Sequence, residues 1–184
     1  MDAATAINQR IPGSGGYSVE VAQKIVEQCA DAGITLVASL PDDWIAECIG
    51  IFDRDERFTH VPVNREESAI GLCSGAFFSG TGALALMGAS GLMTVIYAIT
   101  KINYTYMVPL LILITMRGRI GDRAKHHVSN GLYLEPVMRA IDLPYTVIER
   151  AEDLGEIGRA WHHAKITARP AVVGFTRDVL RGER

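Results

Sequence analysis

The sequence predicts an α/β fold, with an open, doubly wound and mostly parallel sheet of about six strands and helices on both faces. Segments of strand length alternate with segments of helical periodicity along almost the whole chain. The strand segments are continuous apolar runs rather than alternating patterns, which indicates a sheet covered on both faces. The chain has 184 residues, and a single domain usually takes about 100–200.

The first half of the chain predicts a short arm followed by alternating helices and strands. Residues 1–17 are polar and rich in glycine, so we expect a flexible arm before a single domain over residues 18–184. Ser18 is a good N-cap residue for a first helix that ends at Gly33. The segments after it predict a strand at 34–39, a helix that starts at 41–43, a strand at 58–63, a helix at 65–79 and a strand at 83–87.

The second half continues this alternation. It predicts a long helix at 90–106, a strand at 109–115, a polar loop at 117–125, a helix near 132–141, a strand at 145–148, a helix at 152–167 and a last strand at 171–175. Ligands of doubly wound sheets bind beyond the carboxyl ends of the strands. We therefore expect the functional residues in the segments that follow strands.

The charge balance disfavours nucleic-acid binding. Lys and Arg number 18 against 21 for Asp and Glu, which gives a net charge of −3, and the basic residues form no dense stripe. The uncharged stretch 69–100 is long enough for a membrane span, but glycine-rich turns at 79–82 and 88–91 divide it. The pieces are shorter than the roughly 20 residues that a span needs, so they predict a buried strand between two helices.

The cysteines and the N-terminus predict a cytoplasmic protein. Cys29, Cys48 and Cys73 stand far apart in the sequence, so we expect buried thiols in a reducing compartment. Residues 1–5 show neither the basic nor the apolar region of a secretory signal.

The glycine motifs do not match the common phosphate-binding loops. Gly75–Thr81 lacks the lysine of a Walker loop and ends a helix instead of opening one. The pair Gly80 and Gly82 precedes a strand, which is the wrong context for a dinucleotide fingerprint. The segment 88–91 does join a strand to a helix, so its amides either face an anion or a cofactor ring or simply form a tight turn.

The polar loop after the strand at 109–115 carries histidines and arginines. His127, with His126 as the second choice, is expected to donate a proton or contact the substrate. Arg117, Arg119 and Arg123 in the same loop either pair with a sulfonate, phosphonate or carboxylate group or belong to a solvated loop. We predict no metal site in this chain, and the pair His162 and His163 is expected on a solvated helix face.

Glu66 is the most informative residue of the sequence. Glu66 and Glu67 begin a predicted helix, and residues 69–100 are then uncharged. The helix dipole favours acids in a first turn, but it does not explain the long neutral stretch after them. Glu66 follows the carboxyl end of a predicted strand at the mouth of an apolar region, where a carboxyl group can share a proton with a ligand.

The segment Arg65–Ala69, followed by Gly75, Phe77 and Gly80, resembles the pyrimidine-binding domain of thiamine diphosphate enzymes. Ser90-Gly91-Leu92 stands where that family has a turn facing the cofactor. The stretch 103–118 and His127 are similar to 2-oxo acid decarboxylases of the sulfopyruvate and phosphonopyruvate type. The resemblance covers about residues 58–135. It departs from the family pattern at Met93-Thr94, where a Gly-Asn pair often follows the turn.

The resemblance implies that Glu66 hydrogen-bonds N1′ of the aminopyrimidine ring and so helps to activate the thiazolium for attack on a 2-oxo acid. It implies that Ser90, Gly91 and Leu92 contact the cofactor. Glu67 points about 100° away on the helix and is expected to be structural.

The resemblance also implies a partner. The family binds its diphosphate through Mg²⁺ with a Gly-Asp-Gly motif and a later Asn on a second domain, and Gly121-Asp122-Arg123 lacks the second glycine. We therefore expect an α subunit of a thiamine diphosphate-dependent decarboxylase, with a β subunit that holds Mg²⁺, in an α₂β₂ or larger assembly. The alternatives are a carboligase subunit on the same scaffold and a non-catalytic regulatory subunit.

Overall fold

A computed structural model of the chain describes residues 16–183, and within them a single six-stranded sheet forms the centre of the fold. All six strands are parallel, in the spatial order β2-β1-β3-β4-β6-β5. The strands are β1 (Leu36–Ser39), β2 (Thr59–Pro62), β3 (Ala83–Met87), β4 (Leu110–Thr115), β5 (Tyr145–Ile148) and β6 (Pro170–Phe175). The predicted fold class is therefore confirmed, and the sheet is wholly parallel.

Helices cover both faces of this sheet. The α-helices are α1 (Val19–Asp31), α2 (Ala46–Arg54), α3 (Glu66–Phe78), α4 (Ala89–Thr94), α5 (Ile96–Ala98), α6 (Val128–Ala140), α7 (Glu156–Thr167) and α8 (Arg177–Arg181). A π-helix spans Ile99–Tyr104, and 3₁₀ turns span Lys125–His127 and Ala151–Gly155. Ser18 caps α1 as predicted, because its Oγ accepts a hydrogen bond from the Val21 N–H at 3.2 Å.

Two hydrophobic cores lie on opposite faces of the sheet. One core contains apolar residues of α1, α2, α7 and α8, and the other contains those of α3, α4 and α6. Neighbouring residues of one strand alternate between the two cores: Leu111 and Leu113 of β4 belong to the first, and Ile112 and Ile114 to the second. This double burial explains why the strands are continuous apolar runs.

The predicted helix at 90–106 is wrong as a single element. The segment is divided into α4, α5 and the π-helix, with a break at Val95. Asn103 in the π-helix is fully buried, and its amide donates to Ser74 Oγ at 3.0 Å and to the Val108 carbonyl at 3.1 Å. These contacts with residues outside the helix favour the wider π turn, which often replaces an α turn where tertiary contacts compete.

Three smaller boundaries also differ from prediction. The helix expected from residue 41 begins at Ala46, because the Asp42 side chain accepts from the Trp44 N–H at 2.9 Å and holds the preceding segment in a turn. The helix expected near residue 132 already begins at Val128, and the one expected from residue 152 begins as a 3₁₀ turn. Helix α8 was not predicted from the sequence.

All three cysteines are free and buried, as predicted, and burial raises the pKa of the Cys48 and Cys73 thiols to about 12. The predicted arm falls almost entirely on residues 1–15, outside the described residues; Tyr17 packs against Trp44 with ring centroids 6.3 Å apart. None of the helices within residues 16–183 has the length and apolar character needed to cross a bilayer.

Candidate active site

A cleft opens at the point where the strand order reverses. From β1 the chain passes to β2 on one side and then to β3 on the other, and doubly wound sheets bind ligands at such a point. The loops after β1, β2, β3 and β4 surround a cleft of about 330 Å³, which we call the site cleft. Its lining residues are Leu40, Pro41, Asp42, Asp43, Glu66, Gly88, Ala89, Ser90, Gly91, Arg117, His126 and His127.

Glu66 enters the site cleft as the first residue of α3. Its half-buried side chain lies against Gly91, where an added Cβ would be 2.6 Å from Glu66 Cγ and 2.8 Å from Oε1. Only glycine at position 91 leaves room for this approach. Within the described part of the chain, the Glu66 carboxylate has no hydrogen-bond partner. It is therefore available to a ligand.

The neighbouring Glu67 has a different environment. Its carboxylate accepts hydrogen bonds from the Arg65 guanidinium at 3.2 Å and 3.3 Å, and both side chains are exposed. The Arg65 hydrogen bond holds the pKa of Glu67 below its ordinary value. Two consecutive carboxylates thus lie in different surroundings, one in the cleft and one in a surface ion pair.

The turn at 88–91 forms one wall of the site cleft. A side chain at position 88 would overlap the Asp42 carboxylate, so this turn has a glycine at both positions where a carboxylate meets the backbone. Ser90 is exposed, and its Oγ accepts a hydrogen bond from the Asn130 amide at 3.1 Å. The Leu92 side chain is fully buried in the core, so only its backbone could face a ligand.

Arg117 follows β4 and carries most of the charged contacts in the cleft. Its side chain is only 12% exposed, and Nη2 lies 2.8 Å from Asp42 Oδ1 and also bonds to Asp43. Nη1 bonds to His127 Nε2 at 2.5 Å, and the guanidinium lies 5.0 Å above the Trp44 ring. Burial disfavours the charged form, but the two carboxylates outweigh it and raise the pKa of Arg117.

His127 is held through both of its ring nitrogens. Nδ1 lies 2.7 Å from Asp122 Oδ2, and the Asp122 carboxylate also accepts from the Gly118 and Ala124 N–H groups at 2.9 Å and 3.0 Å. Because a guanidinium can only donate, Nε2 must accept from Arg117, which leaves the ring proton on Nδ1. Burial tends to raise the pKa of Asp122, but the two backbone donors and the His127 ring bring it below its ordinary value.

A close backbone contact fixes this loop against α6. Gly118 has a φ of +77°, and an added Cβ would lie 2.5 Å from the Gly131 backbone nitrogen. A Cβ added to Gly131 would in turn overlap the Gly118 carbonyl oxygen. Glycine is therefore required on both sides of the contact, and the contact holds the loop that carries Arg117 and His127.

The other predicted residues lie at different distances from the cleft. His126 is exposed and lines it, with its ring centroid 4.2 Å from that of His127. Arg119 pairs instead with Glu149 at 2.9 Å, and Arg123 is exposed and does not line the cleft. His162 and His163 are exposed on α7. Across residues 16–183, no three His, Cys, Asp or Glu side chains are placed to hold a metal ion.

Several residues of the site were not predicted from the sequence. Asp42 and Asp43 line the cleft, Trp44 lies under the guanidinium, and Asp122 orients His127. Asp42 and Asp43 directly follow a predicted strand, so the rule that sites lie at carboxyl ends could have found them. Asp122 was noted in the sequence only as part of an incomplete glycine motif.

A second group of polar side chains, which resembles a catalytic arrangement, lies outside the site cleft. Ser39 Oγ lies 2.7 Å from His60 Nε2, and His60 Nδ1 lies 3.0 Å from Asp53 Oδ1. This is the order of groups in an activated serine. Ser39 is only 1% exposed and does not line the site cleft. The arrangement therefore satisfies the buried polar groups of Ser39 and His60 at the end of β1, and Asp53 joins it from the surface with a side chain that is 67% exposed.

Comparison with known proteins confirms the family resemblance. No model of a protein family matches the chain. It is 31% identical over 138 residues to a sulfopyruvate decarboxylase of Methanosarcina acetivorans and 28% identical over 127 residues to the sulfopyruvate decarboxylase subunit alpha of Methanococcus maripaludis. The chain is thus similar to sulfopyruvate decarboxylase α subunits. It is also 24% identical over 156 residues to a phosphonopyruvate decarboxylase of Streptomyces viridochromogenes.

The coverage of these homologues differs. The matches take in 75%, 69% and 84% of this chain, and 35%, 76% and 39% of the Methanosarcina, Methanococcus and Streptomyces proteins. The chain thus spans about a third of the Methanosarcina decarboxylase and three quarters of the Methanococcus α subunit. A structure of 2-oxoglutarate:ferredoxin oxidoreductase from Magnetococcus marinus superposes with a TM-score of 0.67 at 12% identity, over 87% of this chain and 29% of that one, which confirms the fold.

Proposed function

We propose that the chain is the α subunit of a thiamine diphosphate-dependent decarboxylase that acts on a 2-oxo acid of the sulfopyruvate or phosphonopyruvate type. The homologues named above are decarboxylases. The observation that carries the proposal is the position of Glu66. A half-buried carboxylate without a hydrogen-bond partner among residues 16–183 lies against the Gly91 turn, at the carboxyl edge of the sheet.

The site cleft fits the pyrimidine part of the cofactor. It offers one unpaired carboxylate, an adjoining backbone turn at 88–91 and a volume of about 330 Å³. Glu66 and this turn would hold the ring, with Glu66 keeping a proton at N1′. Thiamine diphosphate, when bound, supplies the electron sink for loss of CO₂ from a 2-oxo acid. Arg117, positioned by His127, would orient the acid, and His126 at the mouth can exchange a proton with it.

The surface of the chain supports a shared site. Half of the twelve large apolar side chains that are exposed within residues 16–183 belong to α3 and to residues 97–107, and these are Leu72, Phe77, Phe78, Tyr97, Tyr106 and Met107. A concentration of exposed apolar residues is typical of a surface that a partner covers. The Methanococcus homologue is itself named a subunit alpha. We infer a β subunit that holds Mg²⁺ and the diphosphate, in an α₂β₂ or larger assembly.

The test is turnover by the assembled enzyme. The chain is purified alone and together with a partner of similar size that carries Gly-Asp-Gly and a later Asn, and each sample receives thiamine diphosphate, Mg²⁺ and either sulfopyruvate or phosphonopyruvate. We expect CO₂ and the aldehyde product from the assembly and none from the chain alone.

Each of the other outcomes would indicate a different function for the chain. Turnover by the chain alone would contradict the shared site. A condensation product that replaces the free aldehyde when an acceptor aldehyde is added would identify a carboligase. An assembly that binds the cofactor but converts neither acid would indicate a regulatory subunit.

A further inference from the structure

Arg117 pairs with two carboxylates of very different exposure. The Asp42 side chain is 9% exposed and the Asp43 side chain is 49% exposed, and both bond to the same nitrogen, Nη2. Asp42 is held additionally by the Trp44 N–H at 2.9 Å, whereas Arg117 is the one hydrogen-bond partner of Asp43 within residues 16–183. One carboxylate is thus part of the buried structure, and the other is attached by a single contact at the rim.

The N–H donors of Arg117 show which position on the guanidinium the Asp43 carboxylate occupies. A guanidinium has five N–H donors. Three hydrogen bonds use these donors here, to Thr115 Oγ1 at 3.4 Å, to His127 Nε2 and to Asp43, and Asp42 adds an ion pair with Nη2 at 2.8 Å. If Asp43 turns out into solvent, a donor is open on each terminal nitrogen. Two such donors match a carboxylate, sulfonate or phosphonate group that binds through two oxygens.

We propose that Asp43 is an exchangeable counter-ion of Arg117, and that the anionic group of an acidic ligand takes its place on the guanidinium. Asp43 and Arg117 together then set how strongly the cleft selects ligands by their charge. The identification of this ligand with the 2-oxo acid substrate rests on the proposed function, but the exchange itself involves only residues of this chain.

The remaining contacts keep Arg117 in place during such an exchange. Asp42 stays bonded to Nη2, and His127 still accepts from Nη1. His127 is in turn fixed by Asp122, whose carboxylate is held by two backbone N–H groups. His127 and Asp122 are thus positioning residues for the guanidinium, and the ligand replaces Asp43 without a movement of Arg117.

The charge of the cleft explains why exchange matters. With Asp43 in place, one guanidinium faces two carboxylates, and Glu66 adds a third carboxylate to the same cleft. An incoming anion therefore meets a negative cleft unless one carboxylate leaves. Asp43 is the one that can leave, because it is half exposed and has one contact, whereas Asp42 is buried with two.

The experiment measures anion binding to the full chain without cofactor or partner. Sulfoacetate and phosphonoacetate are titrated separately, and binding is followed by the fluorescence of Trp44, which lies 5.0 Å from the Arg117 guanidinium. The other tryptophan is removed by Trp161→Phe. Because Trp161 is itself buried, the same titrations are repeated by calorimetry on the chain with both tryptophans.

Three variants decide the proposal. Asp43→Asn removes the competing charge and should strengthen binding of at least one of the two anions by about threefold, the strength of a half-exposed ion pair. Arg117→Met should abolish that binding. Arg119→Met is the matched control and should change nothing, because Arg119 pairs with Glu149 away from the cleft.

The outcomes separate this proposal from the proposed function. An Asp43→Asn chain that binds both anions with unchanged or weaker affinity would overturn the exchange, and so would an Arg117→Met chain that still binds them. A preference for sulfoacetate or for phosphonoacetate identifies the anion that the site accepts. Glu66 is unchanged in all three variants and no cofactor is present, so a failure of the cofactor assignment would leave the result intact.

Discussion

Two clefts of similar size show what distinguishes a functional site in this fold. The site cleft has a volume of about 330 Å³, and a second cleft beside the edge strand β5, here called the edge cleft, has about 390 Å³. The edge cleft is lined by Pro144, Tyr145, Thr146, Glu156, Arg159, Ala160, His163, Ala171 and Val172. Each cleft thus contains a glutamate that begins a helix, an arginine and a histidine.

The two clefts differ in how their charges are held. In the edge cleft, Arg159 is 79% exposed and pairs at 2.5 Å with Glu156 on the same helix, and such surface pairs contribute little. In the site cleft, Arg117 is 12% exposed, and its partners come from segments far apart in the sequence. Cavity volume therefore does not identify the site, whereas buried charges that converge from several strand ends do.

Glu66→Gln should have the largest effect and Glu156→Gln almost none. Glutamine keeps the size of the side chain but cannot exchange a proton, and such proton transfer is worth about a hundredfold or more in rate. The measurement is kcat of the assembled enzyme for both variants, with circular dichroism to verify that each is folded. Equal losses in the two variants would remove the distinction between the clefts.

Asp122→Asn should destabilise the fold by about 2 kcal/mol, because asparagine cannot satisfy both backbone donors and the His127 ring. Arg159→Met in the edge cleft should stay within about 0.5 kcal/mol of wild type. Urea unfolding at neutral pH measures both free energies of unfolding. An Asp122→Asn protein as stable as Arg159→Met would show that the buried network contributes nothing.

The pH dependence provides a second test of Asp122. Its pKa lies below the ordinary value of 3.8 in the folded chain, so the unfolded chain takes up a proton first as the pH falls. The stability that Asp122 contributes is fully present above 3.8 and is lost as the pH drops through the folded pKa. The difference in free energy of unfolding between wild type and Asp122→Asn should therefore shrink below about pH 4 and stay constant above it.

His127→Ala should lower kcat/KM of the assembled enzyme by about tenfold, since it releases one side of Arg117, and small displacements of a positioning group have effects of this order. His163→Ala is the matched change in the edge cleft and should leave kcat/KM unaltered. Steady-state kinetics with the 2-oxo acid checks both. An unchanged rate and KM in His127→Ala would contradict a role for this histidine.

The smallest expected effect is a gain in stability from a substitution in α7, the helix beside the edge cleft. Gly158 lies within α7, and a Cβ added there would meet no atom within 4 Å, so Gly158→Ala should stabilise the chain by about 0.5–1 kcal/mol. Gly91→Ala in the site cleft should instead displace Glu66. Thermal unfolding of both variants measures the difference, and a stabilised Gly91→Ala protein with full activity would refute the close contact with Glu66.

The fold could be predicted from the sequence because its signals are local. An apolar run such as 109–115 indicates a strand buried on both faces without knowledge of any neighbour. The π-helix could not be predicted, because it depends on a hydrogen bond between Asn103 and Ser74, 29 positions apart. A single sequence does not show which distant residues will meet.

In the candidate site, too, some residues could be predicted from the sequence and others could not. Glu66 could be found because an acid at a helix start, followed by a long neutral stretch, is visible in the sequence. The pairing of Arg117 with Asp43 could not be predicted from the sequence, because it joins residues 74 positions apart. Arg119 and Arg123 have the same residue type and lie in the same loop as Arg117, so only the folded chain distinguishes them.

Hydrogen–deuterium exchange at C2 of thiamine diphosphate bound to the assembled enzyme tests the role of Glu66 most directly, because it reports the step that Glu66 assists and needs no substrate. Glu67→Gln is the control, since Glu67 pairs with Arg65 on the surface. We expect exchange to slow by about a hundredfold or more in Glu66→Gln and to stay near the wild-type rate in Glu67→Gln. Wild-type exchange in Glu66→Gln, or a larger loss in Glu67→Gln, would contradict the assignment.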